Sequence, residues 1–296
     1  MRSGTPLPAM TYRGRFAPSP TGLLHFGSLV SAVASYLDAR RHHGLWFVRI
    51  EDVDKQRERP GSATSILSTL ESFGMQWDGE VLCQSERHDA YARVVDRLLR
   101  EQKAFHCSCS RKRLAQDSTP GAQGLIYPGT CRVGHDASAT QLSVRLMTDS
   151  EPVHFNDRIL GRQTQEVKRE VGDFIIRRAD GFYAYQLAVV VDDAFQEITH
   201  IVRGEDLLFS TARQISLQRA LGYSTPGYAH HPLVRDGSGH KLGKSTSAWP
   251  VDTNRPLATL GRVLAFLHQP PVEADTIDSF WKQAVAGWTI EALRHA

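Results

Sequence analysis

The chain has 296 residues, of which 41% are hydrophobic and 23% are charged, and its formal net charge at pH 7 is +3. This composition excludes a largely disordered protein, and so small a net charge does not by itself indicate a polyanionic partner. No apolar stretch approaches the roughly 20 residues that cross a bilayer, and residues 1–11 lack the apolar segment of a signal peptide, so we expect a cytoplasmic protein.

The first part of the chain alternates between strand and helix patterns. A short apolar strand precedes the proline- and glycine-rich loop Pro18–Gly22, and a helical pattern follows over Ser28–His43. Leu45–Ile50 predicts a second strand. This order indicates a βαβ unit of a parallel sheet, in which ligands lie at the carboxyl ends of the strands. We expect His25 and Glu51 to lie there.

The middle of the chain changes from helices to short strands. Ser62–Phe73 and Asp89–Ala104 have helical patterns. The turn Asp180-Gly181 then separates two short runs, Phe174–Arg177 and Phe182–Tyr185, which together predict a β-hairpin. We interpret this region as an insertion into the α/β domain.

The α/β pattern returns in the last third of the chain. Ile198–Val202 predicts a strand and Leu207–Ala220 predicts a helix. The glycine-rich loop Asp236–Ser245 follows, and the remaining residues suffice for two or three helices. Asp192 and Asp193 precede this region, and we expect them to lie on the surface at a helix end rather than to form a metal pair.

Two motifs suit the binding of phosphate. His25, Gly27 and Ser28 lie where a loop enters a helix, and a helix N-terminus favours phosphate while glycine permits close approach to the backbone. Lys241 and Lys244 lie three residues apart on a glycine-flanked loop that suits closure over a phosphate. Each motif alone has a simpler interpretation, a structural histidine or a solvated basic loop, but their order along the chain favours a common site.

Four segments carry a resemblance to a known family. Arg15–Gly22 and His25–Ser28 resemble the HIGH-type signature of class I aminoacyl-tRNA synthetases, in the form carried by the glutamyl branch. Lys241–Ser245 is similar to the KMSKS-type signature, although Gly243 stands where serine is more usual. Ile201–Leu208 also resembles the glutamyl branch.

Within that branch, the chain is most similar to the glutamyl-Q tRNA(Asp) synthetases. Glutamyl-tRNA synthetases continue into a large anticodon-binding half, whereas only about fifty residues follow the second signature here. The resemblance implies that ATP, with Mg²⁺, activates L-glutamate to glutamyl-adenylate. Glutamate then passes to the queuosine base in the anticodon loop of tRNA(Asp), and the protein is expected to be a monomer.

Three other interpretations stay open at this point. The first is a truncated glutamyl-tRNA synthetase that charges the 3′ end of tRNA(Glu). The second is a catalytically silent tRNA-binding module derived from a synthetase, and the third is a nucleotidyltransferase that activates a different substrate. A silent module would have little reason to keep the candidate site residues, which are His25, Lys241, Lys244, Arg15, Glu51 and Arg203. A nucleotidyltransferase for a different substrate would not need two arginines, a pattern that suits the two carboxylates of glutamate.

The resemblance also implies roles for particular side chains. Arg15 and Arg203 would hold the two carboxylates of glutamate, in an order that the sequence leaves open, and Glu51 would hold its ammonium group. A structural Arg203–Glu51 ion pair is the alternative, as is a core position for Tyr185. The implied glutamate set is Arg15, Phe16, Ala17, Pro18, Ser19, Glu51, Tyr185 and Arg203. The implied ATP set is His25, Gly27, Ser28, Lys241 and Lys244, and its catalytic members are His25, Lys241 and Lys244.

Three of the four cysteines cluster in the middle of the chain, namely Cys107, Cys109 and Cys131. Three thiolates and one further ligand would complete a closed, structural zinc site. In the family that the chain resembles the fourth ligand is a tyrosine oxygen, and Tyr127 stands at the matching position. His106, His135 or a set of free thiols are the alternatives. Cys83 is expected to be a small buried hydrophobic residue.

The predicted architecture is an α/β, Rossmann-like class I synthetase catalytic domain with a zinc-bearing, partly β insertion and a short helical C-terminal subdomain. The predicted parts are an N-terminal extension (1–11), the first half of the catalytic domain (12–105), a zinc-binding insertion (106–135), a mixed α/β insertion (136–197), the second half of the catalytic domain with the KMSKS-like loop (198–250) and the C-terminal subdomain (251–296).

Overall fold

A computed structural model of the chain describes residues 11–56, 58–235 and 251–295. The strands are β1 Arg13–Phe16, β2 Leu45–Ile50, β3 Leu82–Cys83, β4 Ala104–Cys107, β5 Thr119–Gly121, β6 Gly124–Ile126, β7 Ser143–Leu146, β8 Val153–Asp157, β9 Gly161–Gln165, β10 Ile175–Arg177, β11 His200–Gly204 and β12 Gly227–His231. The helices are α1 Phe26–Arg41, α2 Ser62–Ser72, α3 His88–Arg100, α4 Arg111–Asp117, α5 Val167–Glu170, α6 Tyr185–Phe195, α7 Leu208–Leu221, α8 Pro256–Phe266 and α9 Ile277–Gly287.

Parallel strands form the centre of the fold. β1, β2 and β3 make one parallel set, with Arg13 paired to Leu45 and Arg49 paired to Leu82. β11, β12 and β8 make a second parallel set, which β9 extends in the antiparallel sense. The amide of Thr199 donates to the carbonyl oxygen of Arg13 at 2.9 Å, which brings β11 alongside β1. The predicted α/β fold class is confirmed.

Helix α1 is buried along most of its length because both strands and helices cover it. It packs against β1, β2 and β11 on one side and against α8 and α9 on the other. The predicted helix Ser28–His43 is shifted by two residues, since His25 caps the N-terminus and His43 adopts a φ of 52°. A residue with positive φ leaves the helical region, and the helix ends before it.

The inserted region holds a separate antiparallel sheet in the order β10-β7-β4, together with the hairpin β5-β6. Two predictions are corrected here. Helix α3 ends at Arg100 rather than Ala104, because Gln102 takes a φ of 55° and Ala104 begins β4. The predicted hairpin has only its first strand, since Arg177 bridges to Tyr183 and the chain then enters α6. The buried apolar run of α6 favours the helix over a second strand.

The C-terminal helices pack onto the catalytic domain. The indole nitrogen of Trp281 in α9 donates to the carbonyl oxygen of Phe73 at 2.9 Å. The indole nitrogen of Trp288 donates to Oδ1 of Asp38 in α1 at 3.1 Å. These contacts join the C-terminal helices to the end of α2 and to α1. Across the described ranges, every helix is too short or too polar to span a membrane.

Candidate active site

A cavity of about 830 Å³ opens at the ends of the parallel strands. β1 and its following loop form one wall, the start of α1 forms the floor, and the ends of β2, β11 and β12 close the rest. The structure brings together every member of the predicted glutamate and ATP sets that it describes. These residues are Arg15, Phe16, Ala17, Pro18, Ser19, His25, Gly27, Ser28, Glu51, Tyr185 and Arg203. Lys241 and Lys244 lie outside the described residues.

His25 forms the N-terminal cap of α1. Its Nδ1 accepts a hydrogen bond from the amide of Ser28 at 3.2 Å, and its Nε2 lies 3.0 Å from the hydroxyl of the same residue. The histidine therefore takes the place of the serine or aspartate that usually caps a helix. Gly27 and Ser28 line the cavity beside it. The first turn of α1 contains no acidic residue, so the positive end of the helix faces the cavity without local neutralisation.

Arg203 in β11 is held on one edge and open on the other. Its Nη2 donates to Thr211 at 2.8 Å and to Gln214 at 2.9 Å, and its Nε donates to Nε2 of His230 at 3.1 Å. Its Nη1 is buried and has no hydrogen-bond acceptor among the described residues. A buried guanidinium nitrogen without an acceptor is costly. Because Arg203 lines the cavity, a bound carboxylate would relieve that cost.

His230 and Asp157 stand behind Arg203. Nδ1 of His230 lies 2.6 Å from Oδ2 of Asp157, and both side chains are fully buried. Burial lowers the pKa of His230 despite the opposing effect of Asp157. The ring is therefore neutral near pH 7, with its proton on Nδ1, and Nε2 is the acceptor that receives Arg203. Protonation of Nε2 would turn this acceptor into a donor.

A buried ionic network supports Arg15 and Glu51. Nε of Arg15 lies 3.2 Å from Oδ1 of Asp193, and Nη2 of Arg49 lies 2.8 Å from the same oxygen. Arg49 also approaches Oε1 of Glu51 at 3.5 Å. Burial alone would raise the pKa of Asp193, but Arg15 and Arg49 outweigh it and hold the pKa below its usual value. Burial raises the pKa of Glu51, and Arg49 and Arg15 oppose that effect only in part.

This network corrects two expectations. Asp192 and Asp193 lie in the last turn of α6 but not on the surface, since their side chains are 0% and 6% exposed. Asp192 accepts hydrogen bonds from Gln84 at 2.9 Å, Arg87 at 2.7 Å and Tyr91 at 2.7 Å. The alternative Arg203–Glu51 ion pair is not found, because Glu51 pairs with Arg49.

Several residues of the site were missed from the sequence. Arg49 lies within the otherwise apolar strand Leu45–Ile50, and a charge at such a position signals a buried partner. Asp192 and Asp193 directly follow the apolar run of α6, which is a comparable signal. His230 and Asp157 had no local signal, because the two come together only through the pairing of β12 with β8.

The cysteine cluster lies apart from the cavity, in the inserted region. The sulfur atoms of three cysteines lie within 4.8 Å of one another, namely Cys107, Cys109 and Cys131. Oη of Tyr127 lies 3.5 Å from Sγ of Cys107 and 3.9 Å from Sγ of Cys109. The backbone of Tyr127 packs closely against Gly172, where a Cβ would lie only 2.4 Å from the carbonyl oxygen of Tyr127. Glycine at this position therefore permits the placement of Tyr127 beside the cysteines.

Three sulfur atoms and one phenol oxygen around a common point match the donor number of a tetrahedral metal site. Histidine nitrogens do not join the group within the described part of the chain. Burial opposes ionisation of Cys107, but Tyr127 and Arg145 outweigh it and lower the pKa of this thiol to about 7. Arg145 donates to Sγ of Cys107 at 3.3 Å and therefore supplies a positive charge beside the thiolates. The cluster can hold a metal ion.

Comparison with known proteins places these features in context. A family model described as "tRNA synthetases class I (E and Q), catalytic domain" matches residues 11–256. The glutamyl-Q tRNA(Asp) synthetase of Dechloromonas aromatica (strain RCB) is 52% identical over 287 residues, which cover 95% of each protein. That of Pseudomonas aeruginosa (strain LESB58) is 54% identical over 265 residues, which cover 89% of this chain and 88% of the relative.

A solved structure extends the comparison to three dimensions. The crystal structure of glutamate-tRNA synthetase from Elizabethkingia anophelis superposes with a TM-score of 0.81 at 26% sequence identity. The match covers 97% of this chain and 67% of that protein. The similarity therefore includes the parallel sheets, the inserted region and the C-terminal helices.

Proposed function

The chain belongs to the family of class I tRNA synthetase catalytic domains for glutamate and glutamine, and from this premise we propose that it is a glutamyl-Q tRNA(Asp) synthetase. It uses ATP to activate L-glutamate and transfers the glutamyl group to the queuosine base in the anticodon loop of tRNA(Asp). The relatives of that name, about half identical over nearly the full chain, support the acceptor.

One observation carries the proposal. A single cavity joins two guanidinium groups, Arg15 and Arg203, to the carboxylate of Glu51 and the N-terminus of α1. Glutamate has two carboxylates and one ammonium group, so this charge pattern is its complement. The N-terminus of α1, with His25, offers the adjoining position for the triphosphate of ATP.

The chemistry requires positioning more than covalent help from the protein. A carboxylate oxygen of glutamate attacks the α-phosphorus of ATP, the bond to the bridging oxygen breaks, and pyrophosphate leaves with the bonding electrons. Mg²⁺ bound with ATP would neutralise part of the charge on the phosphates. Arg15, Arg203 and Glu51 orient the amino acid, while His25 contacts the triphosphate. Lys241 and Lys244 neutralise the charge that develops on the phosphates, as their signature in the family implies.

We assign the metal of the cysteine cluster as zinc, with the four ligands Cys107, Cys109, Tyr127 and Cys131. Zinc favours thiolates in four-coordinate sites, and a site with four protein ligands is structural. We further assign the catalytic role to residues 12–105 and 198–250, and place the protein in the cytoplasm as a monomer. The inserted residues 106–197 then hold the metal and part of the wall of the cavity.

Two assays with one protein preparation test the proposal. Glutamate-dependent ATP–pyrophosphate exchange without tRNA should proceed, because the complete glutamate site lies within this chain. Labelled glutamate should then pass to tRNA(Asp) that carries queuosine, and not to tRNA(Asp) with guanosine at that position. Exchange that requires tRNA(Glu), or charging of tRNA(Glu), would instead indicate a truncated glutamyl-tRNA synthetase. Absence of both reactions would indicate a silent tRNA-binding module.

A further inference from the structure

A second cavity of about 300 Å³ adjoins the first. The two share Ser19, Thr21, Glu51 and Tyr185 in their walls. We call it the side cavity. It is bounded by the loop after β1, the ends of β2 and β3 and the segment before α6, so it opens next to the proposed position of the amino acid. A group bound there would lie beside the activated carboxyl group.

The charges of the side cavity exclude a phosphate as its occupant. Glu51, Asp54 and Glu58 contribute three carboxylates to its wall, and Arg178 contributes one guanidinium. Arg178 is already paired, with Asp54 at 3.3 Å and with Asp180 on its other nitrogen. Glu51 is paired with Arg49 behind the wall, so the three carboxylates face two guanidinium groups and keep an excess of one negative charge, which repels phosphate and attracts a cation.

A buried acceptor in the same wall points to a ligand that donates hydrogen bonds. The side chain of Gln84 is 1% exposed, and its Nε2 donates to Asp192 at 2.9 Å. This bond fixes the amide so that Oε1 is its remaining acceptor, and Oε1 has no partner within the described part of the chain. A buried acceptor without a donor is costly, so a bound N–H or O–H group would stabilise it.

From these observations we propose that the side cavity binds the cationic, hydroxylated substituent of the acceptor nucleoside, with Asp54, Glu58 and Gln84 as its recognition residues. This inference rests on the proposed function. In queuosine a carbon replaces N7 of guanosine and carries an aminomethyl-cyclopentenediol group, whose secondary amine is protonated near neutral pH. The ammonium group and the diol supply the donors and the positive charge that this wall lacks.

The position of the side cavity also suits the transfer step. A hydroxyl oxygen of the diol forms a bond to the carbonyl carbon of glutamyl-adenylate. The bond between that carbon and the phosphate oxygen breaks, and AMP leaves with the bonding electrons. The hydroxyl proton passes to the AMP phosphate. Held between Asp54 and Glu58, the ammonium group would place the neighbouring hydroxyl groups toward the first cavity.

Two substitutions test the assignment by separating transfer from activation. Asp54→Asn and Glu58→Gln each remove one negative charge with little change of shape, and Glu58 is exposed, so its replacement should not impair folding. Glu71→Gln, on the exposed face of α2, is the matched control. For each protein, exchange is measured with glutamate and ATP, and transfer is measured in single turnover with queuosine-containing tRNA(Asp).

We expect transfer to fall at least tenfold more than exchange in Asp54→Asn and Glu58→Gln, through weaker binding of the tRNA. The control should match the wild type in both assays. If the wild type transfers glutamate and both variants transfer it equally well, the side-cavity assignment alone is overturned. Parallel loss of exchange and transfer also overturns it, because the residues would then serve activation. If the wild type catalyses exchange but transfers no glutamate to the queuosine-containing tRNA, the proposed function is overturned, and the side-cavity assignment is overturned with it.

Discussion

At the scale of single residues, the orientation of Arg203 determines which of its nitrogens can bind a carboxylate of glutamate. Thr211, Gln214 and His230 take up the inner nitrogens of its guanidinium, which leaves Nη1 for the ligand. The acceptor on His230 exists only while Asp157 holds the proton of the ring on Nδ1. Asp157 and His230 are therefore positioning residues that act through Arg203.

We expect Asp157→Asn to raise the KM for glutamate about tenfold, because one hydrogen bond to a charged group is worth roughly 1.5 kcal/mol. The kcat of exchange should change little, since the contact of Arg203 with the glutamate carboxylate is expected to be equally strong before and during the reaction. The KM for ATP should also change little, since this guanidinium does not bind ATP. Steady-state exchange kinetics measure all three. Tyr228→Phe is the control, because Tyr228 lies on the same strand as His230. This change removes the hydroxyl that accepts a hydrogen bond from Gln218 in α7 and keeps the ring beneath Arg203. An equal fall of kcat in Asp157→Asn, or no rise in KM, would refute the positioning role.

The site residues that sequence revealed are those with strong local patterns. His25 precedes a helix, Glu51 follows a strand, and Arg15 lies in a signature, so each could be placed from its neighbours. Asp157 and His230 belong to strands far apart in the sequence, and only their pairing in the folded sheet joins them. Long-range contacts of this kind leave no trace in a single sequence.

At the scale of secondary-structure elements, helix α6 supports the arginines of the site and its surroundings through buried carboxylates. It carries the buried Asp192 and Asp193, which bind arginines from three other segments: Arg15, Arg49 and Arg87. The sequence predicted a strand at the start of α6, because Phe182–Tyr185 alternates like a hairpin arm. The apolar run that follows has the length of a helix, and its burial on all sides favours a helix over a strand.

We expect Asp193→Ala to destabilise the fold by roughly 3–5 kcal/mol, because it leaves Arg15 and Arg49 buried without a counter-charge. Urea unfolding followed by circular dichroism measures the change. Asp117→Ala removes the exposed pair with Arg113 at the end of α4 and should cost at most about 1 kcal/mol. Similar costs for the two substitutions would show that the buried network does not stabilise the fold.

The cysteine cluster is expected to bind zinc and thereby to stabilise the inserted region. Purified protein prepared without chelator should contain about one zinc ion per chain, because the three sulfur atoms already lie within 4.8 Å of one another. Removal of the metal should lower the Tm, since the free energy of metal binding to the folded cluster contributes to the stability of the fold. Metal analysis by mass spectrometry tests this, with Cys109→Ser as the variant and Cys83→Ser as the control. Wild-type protein without zinc would refute the assignment.

At the scale of the whole molecule, histidines in β11 and β12 give the stability of the fold a pH dependence. Burial lowers the pKa of His200, His230 and His231. The unfolded chain binds protons at these rings where the folded chain does not, so stability should fall as the pH drops below the ordinary histidine pKa of about 6.5. The raised pKa of Glu51 acts in the opposite sense, but it is a single group.

We therefore expect a higher Tm at pH 7.5 than at pH 5.5, measured by scanning calorimetry in buffers of equal ionic strength. His200→Phe keeps a ring against Tyr12 and cannot ionise, so it should reduce the difference between the two pH values. A wild-type Tm that is equal at both pH values, or higher at pH 5.5, would contradict this account.

The order of the first elements was predictable from the sequence because glycine, proline and polar residues separate apolar runs of strand and helix length. β2 and α2 were placed within one residue of their observed bounds. The arrangement of the two parallel sets, which gives the cavity its walls, was inferred only in outline from the βαβ order. The side cavity was not predicted at all, since its walls come from four separate segments.

The central claim is that one cleft brings ATP and glutamate together. A crystal structure with a non-hydrolysable sulfamoyl analogue of glutamyl-adenylate tests it most directly. We expect the glutamyl part of the analogue to bind Arg15 and Arg203, with its ammonium group on Glu51. The adenosine end should lie beside His25 and within reach of Lys244. Binding of the analogue elsewhere, or His25 and Lys244 on unrelated surfaces, would contradict it.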